Sequence, residues 1–432
     1  MFSLFAEFRS LKSSLTHLVC AKCGTAYGAD EKATICRNGD DGRLEIFYNY
    51  EEAKETLTRE TVQGRSKGVW RYFELLPLEK SRNVVSLSEG GTPLLKCERL
   101  GQKLGLRELF AKDETRNPTA SFKDRAMTIG VSKAVEFNAK TVVTASTGNA
   151  AASLSALSAK AGLDCYAFVH ENAPSGKLAQ LACTGARVFR VRNLEKAEDP
   201  VVKMLKLAVE KFGWYPCPSF GPFNPYQFEG GKTIAYEILE QLEWSSPDWV
   251  VIPIGGGGLL GANWKGFIEA ETMGMVNGRP KIAGIQPEGC APVVRAFKEG
   301  ADPLSIEPWA NPSTVAGGLK DPIPWDGDAA LKSIRDSGGS AEAVSDEEIL
   351  EAQELLARTE GIFAEPSGAA SVAGVIKLAK AGIIKADEKV VMEVTGSGLK
   401  DPITVAQRFP EPALISPEIA EFEDLLNRKH PA

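Results

Sequence analysis

The chain has 432 residues, too many for one small core, and this length predicts two or three domains. Its composition is ordinary for a globular protein, with 43% hydrophobic and 25% charged residues. The net charge of −7 gives no reason to expect a nucleic-acid partner, and no apolar run has the length of a membrane span.

Cysteine usage indicates the compartment. Eight cysteines are few for a chain of this length, and five of them are scattered singly. This pattern predicts reduced thiols rather than a disulfide framework. The N-terminal residues show no basic region followed by an apolar core, as a secretory signal would. We therefore expect a cytoplasmic protein with no membrane partner.

Residues 1–60 differ from the rest and predict a small segment of the zinc-ribbon kind. Cys20 and Cys23 form a C-x-x-C knuckle, and Cys36 follows after a turn-rich stretch. A structural zinc site needs four ligands, yet no cysteine follows Cys36 at the spacing of a second knuckle. His17 could supply a fourth ligand, but it precedes the first cysteine pair and so does not have the usual spacing. The sequence thus favours a degenerate ribbon that folds without metal, and zinc bound by Cys20, Cys23 and Cys36 stays the alternative.

Beyond residue 93, strands and helices alternate. Strands are predicted at 109–112, 141–146, 165–170, 187–191, 249–254, 281–286 and 389–394. Helices are predicted at 124–138, 150–161, 175–183, 201–212, 233–242, 346–359 and 367–381. Such alternation favours parallel, doubly wound sheets, and the two series predict two α/β domains. We expect a large domain at 61–117 and 228–432, and a smaller one at 118–227.

One lysine lies at the start of the helix predicted at 124–138. Pro118 ends the preceding structure, Ser121 can cap the helix, and Asp124 completes a capping box. Lys123 then lies in the first turn, where the helix dipole disfavours its positive charge. A neutral amine in a fixed position suits Schiff-base chemistry on an aldehyde cofactor. Taken alone, a lysine at a helix start is more often a solvated surface residue.

Four consecutive glycines follow the strand predicted at 249–254 and open a helix. These residues are Gly255, Gly256, Gly257 and Gly258. Their backbone amides, together with the helix N-terminus, form a cradle for a phosphate group. The dinucleotide fingerprint also occurs in this loop, but the next predicted strand ends in Gln286 instead of an acidic residue.

Two further glycine-framed loops supply polar side chains at strand ends, where open α/β sheets bind ligands. Ser146 and Thr147 can hold a carboxylate, and Asn149 can donate to a phenolate-like oxygen. Thr395 or Ser397 can offer a neutral hydroxyl to a ring nitrogen. With the lysine and the phosphate cradle, these groups match the parts of pyridoxal phosphate.

Four stretches of this chain resemble the threonine synthase branch of the fold-type II, tryptophan-synthase-β-like pyridoxal phosphate enzymes. They are Ser-Phe-Lys-Asp-Arg from Ser121, Ala-Ser-Thr-Gly-Asn from Ala145, Glu-Pro-Ser-Gly-Ala from Glu365 and Thr-Gly-Ser-Gly-Leu-Lys-Asp from Thr395. They occur in the family's order, and the resemblance extends from about residue 68 to 402. It implies a lyase of amino-acid metabolism that acts on a small amino acid and is commonly a homodimer.

The resemblance also implies a role for each candidate residue. Lys123 is the Schiff-base lysine and proton shuttle, which makes it the catalytic residue. Asn149 binds the ring hydroxyl, the four glycines bind the phosphate, and Thr395 binds the ring nitrogen. The remaining implied contacts are Phe122 beside the cofactor, and Ser146 and Thr147 on the substrate carboxylate.

Several positions depart from the family pattern that holds the phosphate of O-phosphohomoserine. The family usually has Asn-x-Gly-Asn in the glycine loop, threonine after Ser-Thr-Gly-Asn, and Ser-x-Asn-Pro-x-Arg before the next helix. The residues at these places are Gly256, Leu259, Ala150, Pro222 and Gln227. Loss of the arginine removes a bidentate clamp for an anion.

Three reactions stay open after these substitutions. Threonine synthase-like conversion of phosphohomoserine to threonine has the best overall motif match. A serine/threonine dehydratase-type β-elimination is the alternative, because the Gly-Gly-Gly-Gly-Leu loop is similar to that of the dehydratases. A cysteine- or cysteate-synthase-like β-replacement is the third. A nicotinamide-dependent dehydrogenase would leave Lys123 and Asn149 unexplained.

Overall fold

The computed structural model describes residues 11–173, 175–192 and 199–429. The first ten residues of the predicted ribbon segment lie outside this part of the chain. The segment begins with strands β1 (Leu15–Cys20), β2 (Ala26–Gly28) and β3 (Leu44–Tyr48), followed by helices α1 (Tyr50–Lys54) and α2 (Arg59–Gly64). The three strands form an antiparallel sheet in the order β2-β1-β3. Its buried side chains join the hydrophobic cluster of the large sheet described below.

The chain then forms two strands of the large sheet before it enters a second sheet. The first part contains β4 (Leu94–Lys96), α3 (Glu98–Leu104) and β5 (Glu108–Asp113). The second part contains α4 (Lys123–Glu136), β6 (Thr141–Ala145), α5 (Asn149–Ala161), β7 (Asp164–His170), α6 (Ser175–Cys183), β8 (Arg187–Val191), α7 (Pro200–Phe212), β9 (Tyr215–Pro216) and α8 (Tyr226–Gly231). Strands β8-β7-β6-β9 form a parallel four-stranded sheet in that order.

The rest of the chain returns to the large sheet. Its elements are α9 (Thr233–Gln241), β10 (Trp249–Pro253), α10 (Gly258–Thr272), β11 (Lys281–Pro287), α11 (Pro292–Glu299), α12 (Gly327–Asp336), β12 (Ser340–Val344), α13 (Asp346–Glu360), α14 (Pro366–Lys380), β13 (Lys389–Val394), α15 (Pro402–Ala406) and α16 (Ile419–Lys429). The sheet has the order β12-β11-β10-β13-β5-β4, and only the β4–β5 pair is antiparallel.

Burial on both faces explains why the central strands were readable from the sequence. All five residues of β10 are buried, as expected for a parallel strand covered by helices on both sides. Hydrophobic side chains of α9, α10 and α12 pack in one cluster with the large sheet, and those of α13 and α14 pack in another. The predicted α/β class, with two parallel sheets after a ribbon-like segment, is confirmed.

Element bounds agree with the sequence predictions to within one or two residues. The short strands β4, β9 and β12 and helix α12 were among the elements not predicted. The division into domains at 61–117, 118–227 and 228–432 stays a prediction. Across the described ranges, no helix combines the length and apolar character needed to cross a membrane.

Candidate active site

A cleft of about 1250 Å³ opens at the carboxyl ends of β6, β10 and β13. All the residues that the sequence predicted to contact cofactor or substrate line this cleft. They are Phe122, Lys123, Ser146, Thr147, Asn149, Gly255, Gly256, Gly257, Gly258 and Thr395. The parallel strands therefore bring together residues as far apart in the sequence as Phe122 and Thr395.

The start of α4 differs from the predicted capping box. The helix begins at Lys123 with Phe122 as its N-cap, and no side chain caps it. The Ser121 hydroxyl accepts only a long hydrogen bond of 3.4 Å from the Lys123 amide. The Asp124 carboxylate accepts hydrogen bonds from the backbone and hydroxyl of Thr119 instead. Asp124 is thus bonded to the preceding loop and does not cap the helix. The backbone of Ser121 pairs with that of Gly396.

The amine of Lys123 lies deep in the cleft although the side chain is only half-buried overall. Its Nζ donates a hydrogen bond of 2.8 Å to the hydroxyl of Ser219. Loss of solvent lowers the pKa of Lys123 from 10.5 to about 8, against the carboxyl groups of Asp321, Asp326 and Glu365, which raise it. Burial, rather than the helix dipole invoked from the sequence, is the main cause of the depressed pKa.

Ser219 is a site residue that sequence reasoning missed. Its backbone has a φ of 68°, a left-handed conformation that is uncommon outside glycine. The Ser219 amide donates to Oε1 of Gln227 at 3.0 Å, and this bond anchors the unusual conformation. The buried Gln227 stands where the family usually has its phosphate-binding arginine. No local motif marks Ser219, so only the tertiary contact with Lys123 reveals it.

The glycine loop has the form of an anion cradle. Helix α10 begins at Gly258, and its N-cap Gly257 has a φ of 102° and no side-chain cap. A Cβ atom at Gly257 would lie 2.6 Å from the backbone oxygen of Asp326, and one at Gly255 would lie 2.8 Å from that of Gly318. Only glycine fits this close approach, and the helix start presents bare amides to the cleft. The loop therefore fits the phosphate group of the predicted cofactor.

Two acidic side chains, which the sequence analysis missed, complete this wall. A Cβ atom at Gly256 would lie 3.0 Å from Oδ2 of Asp321, and one at Gly258 would lie 2.9 Å from Oδ2 of Asp326. Burial raises the pKa of Asp321 to about 7 and that of Asp326 to about 6. Carboxyl groups that take up protons so readily are compatible with a neighbouring anion. Both belong to the proline-rich stretch 321–326, which carries no motif.

The loop after β6 presents a second helix start to the cleft. Helix α5 begins at Asn149, and its N-cap Gly148 makes no side-chain capping bond. The Asn149 amide donates to Oε1 of Glu365 at 2.7 Å, which fixes the orientation of Asn149. Glu365 belongs to one of the four resembling stretches, but no role was predicted for it. The buried Thr395 accepts the Phe122 amide through its backbone oxygen at 3.0 Å.

A buried network of ion pairs holds the first turn of α4 in place. Arg125 lies 2.7 Å from the carboxylates of both Glu114 and Glu237, and Lys112 also pairs with Glu237 at 2.7 Å. These side chains are at most 2% exposed. Burial raises the pKa of both glutamates, but the charge of Arg125 outweighs it and holds each pKa below its usual value. The network ties the helix that carries Lys123 to the large sheet.

The cysteines of the ribbon segment also come together. The ligand atoms of Cys20, Cys23, Cys36 and Asp40 all lie within 4.8 Å of one another. Asp40 is thus the fourth group that no cysteine supplied in the sequence. His17 lies outside this cluster and stacks on Phe47 with ring centroids 4.9 Å apart.

Known proteins similar to this chain are pyridoxal phosphate-dependent enzymes, which agrees with the cofactor that the cleft residues predict. Residues 85–396 match the family described as pyridoxal-phosphate dependent enzyme, and the chain belongs to that family. Threonine synthase of Methanocaldococcus jannaschii is 45% identical over 94% of this chain and 98% of its own. Threonine synthase of Methanosarcina acetivorans is 43% identical over 95% and 98%. The chain is therefore a threonine synthase-like, pyridoxal phosphate-dependent lyase.

Solved structures show the same fold. The structure of maize serine racemase has a TM-score of 0.63 at 21% identity, covering 78% of this chain and 94% of that one. The processed form of threonine deaminase isoform 2 from Solanum lycopersicum has a TM-score of 0.62 at 22% identity, covering 83% of this chain and 93% of that one. The fold-type II architecture predicted from the four resembling stretches is confirmed.

Proposed function

We propose that this protein catalyses the threonine synthase reaction, in which O-phosphohomoserine and water give threonine and inorganic phosphate. The observation that carries the proposal is similarity to threonine synthases over 94% and 95% of the chain. A lysine amine with a pKa of about 8, facing three glycine-framed loops in one cleft, supports it from the structure.

We assign each predicted residue a place around pyridoxal phosphate. Lys123 would bond to the aldehyde, with the Phe122 side chain beside it. The glycines at 255–258 would hold the phosphate, Asn149 would donate to the ring oxygen, and Thr395 would serve the ring nitrogen. When bound, the cofactor withdraws electrons from the substrate α-carbon, so that a proton can leave it.

Proton transfer falls to Lys123. With a pKa of about 8, its amine is close enough to neutrality to accept a proton and to return one at the pH of a cell. The Ser219 hydroxyl, 2.8 Å from Nζ, holds the amine in place between these two events. The hydroxyls of Ser146 and Thr147, at the uncapped start of α5, hold the substrate carboxylate.

A second candidate is β-elimination from serine or threonine. It is favoured by the state of Gln227, which stands at the position of the family's arginine. Its Oε1 accepts the Ser219 amide, and its Nε2 points to the sulfur of Met127 at 2.9 Å. Gln227 is therefore not available to bind the phosphate of phosphohomoserine, and other groups would have to hold that phosphate.

One set of assays on the holoenzyme separates the candidates. Phosphate and threonine are measured after addition of O-phosphohomoserine, and oxoacid is measured after addition of serine or threonine. The proposal expects phosphate and threonine in equal amounts, with little oxoacid. Oxoacid without threonine would replace it with the dehydratase reaction, and cysteate from phosphoserine and sulfite would indicate the third candidate. Lys123→Ala must abolish every one of these activities.

We also infer that the protein is a cytoplasmic homodimer. All eight cysteines are free, which suits a reducing compartment. Large apolar side chains are exposed near the C-terminus, including Leu399 at 77%, Ile403 at 68% and Leu414 at 97%. Such surface favours association with a second copy. Light scattering on the purified holoenzyme tests this, and a monomeric mass at micromolar concentration would contradict it.

A further inference from the structure

The ribbon segment carries a cluster of side chains that the catalytic reaction does not use. We propose that Cys20, Cys23, Cys36 and Asp40 together bind one zinc ion, which fixes the loop from which Arg43 contacts Asp326 in the cleft wall. The proposal concerns structure in this segment and is independent of which substrate the enzyme takes.

The spacing of the four groups matches a tetrahedral site. Zinc bonds of about 2.3 Å to sulfur and about 2.1 Å to oxygen place two sulfurs about 3.8 Å apart, and a sulfur and an oxygen about 3.6 Å apart. The sulfurs of Cys23 and Cys36 are 3.6 Å apart. The sulfur of Cys20 lies 3.5 Å from Oδ2 of Asp40. These two distances match a zinc coordination shell, and all four ligand atoms lie within 4.8 Å of one another.

Two turns build this arrangement. In the first, the Gly24 amide donates to the Cys20 oxygen at 2.9 Å, which brings Cys23 back beside Cys20. In the second, the Gly39 amide donates to the Cys36 oxygen at 3.1 Å. A cysteine at the usual spacing would fall on Gly39, but the ligand group stands one residue later, at Asp40. The C-x-x-C spacing therefore does not predict Asp40.

Neighbouring groups donate hydrogen bonds to the sulfurs, as thiolate ligands require. The amide of Asn38 donates to Sγ of Cys23 at 3.3 Å. The hydroxyl of Tyr27, a buried side chain, donates to Sγ of Cys36 at 3.4 Å. Donors of this kind stabilise negative sulfur and orient it towards a metal. They are a second observation, separate from the clustering of the four groups.

The residues that follow this cluster in the sequence contact the wall of the catalytic cleft. A Cβ atom at Gly42 would lie 2.4 Å from Sγ of Cys20, so the backbone passes tightly against the site. The next residue is Arg43, whose Nη2 pairs with Asp328 at 2.9 Å and whose Nε lies 3.7 Å from Asp326. Asp326 in turn accepts the Gly221 amide and lines the cleft. A bound ion would thus hold Arg43 against the cleft wall.

Metal analysis of the holoenzyme tests the assignment. Protein expressed in zinc-containing medium and gel-filtered without chelator is expected to hold about one zinc per chain, against less than about a tenth in Cys23→Ser. Cys183→Ser removes an exposed cysteine outside the cluster and must keep the metal. Zinc far below one equivalent in the unaltered protein, or unchanged in Cys23→Ser, would overturn the proposal.

Cobalt substitution tests the fourth ligand without relying on a damaging variant. The Co²⁺ form should show thiolate-to-cobalt absorption from three sulfurs, and Asp40→Cys should strengthen it by about a third, because four sulfurs then bind the ion. An unchanged spectrum in Asp40→Cys would exclude Asp40 as a ligand. Extraction of the metal should lower the melting temperature of the holoenzyme, and unchanged melting would contradict the structural role.

Discussion

The depressed pKa of Lys123 predicts how fast the apoenzyme captures pyridoxal phosphate at each pH. Only the neutral amine attacks an aldehyde. With a pKa of about 8, about one Lys123 amine in eleven is neutral at pH 7, against about one in 3000 for an ordinary lysine at 10.5. The site therefore offers about 300 times more reactive amine than a surface lysine does.

The expected profile follows from these fractions. The second-order rate of capture should rise about tenfold per pH unit below pH 8 and then level off. Rapid mixing of apoenzyme with pyridoxal phosphate, followed by the visible absorbance band, measures this rate. Borohydride reduction and peptide mapping confirm Lys123 as the attached residue, and Lys123→Ala is the blank.

Replacement of Asp321 gives the matched perturbation. Its carboxylate is the first of the charges that raise the pKa of Lys123, so Asp321→Asn should lower that pKa further. The plateau should then begin below pH 8, and capture at pH 7 should be faster. A rate that keeps rising to pH 10 in the unaltered protein would refute the depressed pKa of Lys123, and a plateau that moves to higher pH in Asp321→Asn would refute the assigned effect of the Asp321 charge.

Three further perturbations test other parts of the site. Arg125→Met should cost about 3–5 kcal/mol in denaturant unfolding because it leaves the buried Glu114 without a cation and Glu237 with Lys112 alone, whereas Lys96→Ala, at an exposed ion pair with Glu108, should leave the free energy of unfolding almost unchanged. Gly257→Ala should weaken cofactor binding at least about tenfold in equilibrium titration, while Gly278→Ala, with similar backbone strain but open space, should leave it unchanged. Gln227→Leu should lower kcat by about 5- to 100-fold through Ser219 and leave KM for phosphohomoserine nearly constant; a raised KM with normal kcat would make Gln227 a substrate ligand.

The sequence predicted elements well where the hydrophobic pattern is strong. The continuous apolar run of β10 and the alanine-rich α5 were placed to within one residue. Strand β12 was missed because its sequence, Ser-Ala-Glu-Ala-Val, has small and charged residues and is held by its neighbour β11. Strand β9 has only two residues, too few for any periodicity.

The site residues also fall into two groups, those in local sequence motifs and those that only tertiary packing brings to the cleft. Glycine loops and the lysine motif are local patterns, so the sequence alone could point to Lys123 and the loop at 255–258, which line the cleft. Ser219 and Asp321 come from irregular segments and reach the cleft only through tertiary packing. The capping box at Ser121 was wrong because the folded loop offers Asp124 a nearer donor in Thr119. Local rules fail where a long-range contact competes for the same side chain.

Position 227 links substrate choice to catalysis. In this chain its glutamine supports Ser219, and Ser219 supports the amine of Lys123. The glutamine is also tightly packed, since a Cβ atom at Gly130 would lie 3.0 Å from its Nε2. A single Gln227→Arg change would therefore add a cation but remove the support of Ser219 and crowd Gly130. Phosphate recognition in this enzyme must then depend on groups other than a side chain at 227. The uncapped start of α5 is assigned to the substrate carboxylate and that of α10 to the cofactor phosphate, so a substrate phosphate would need a third group of donors in the cleft.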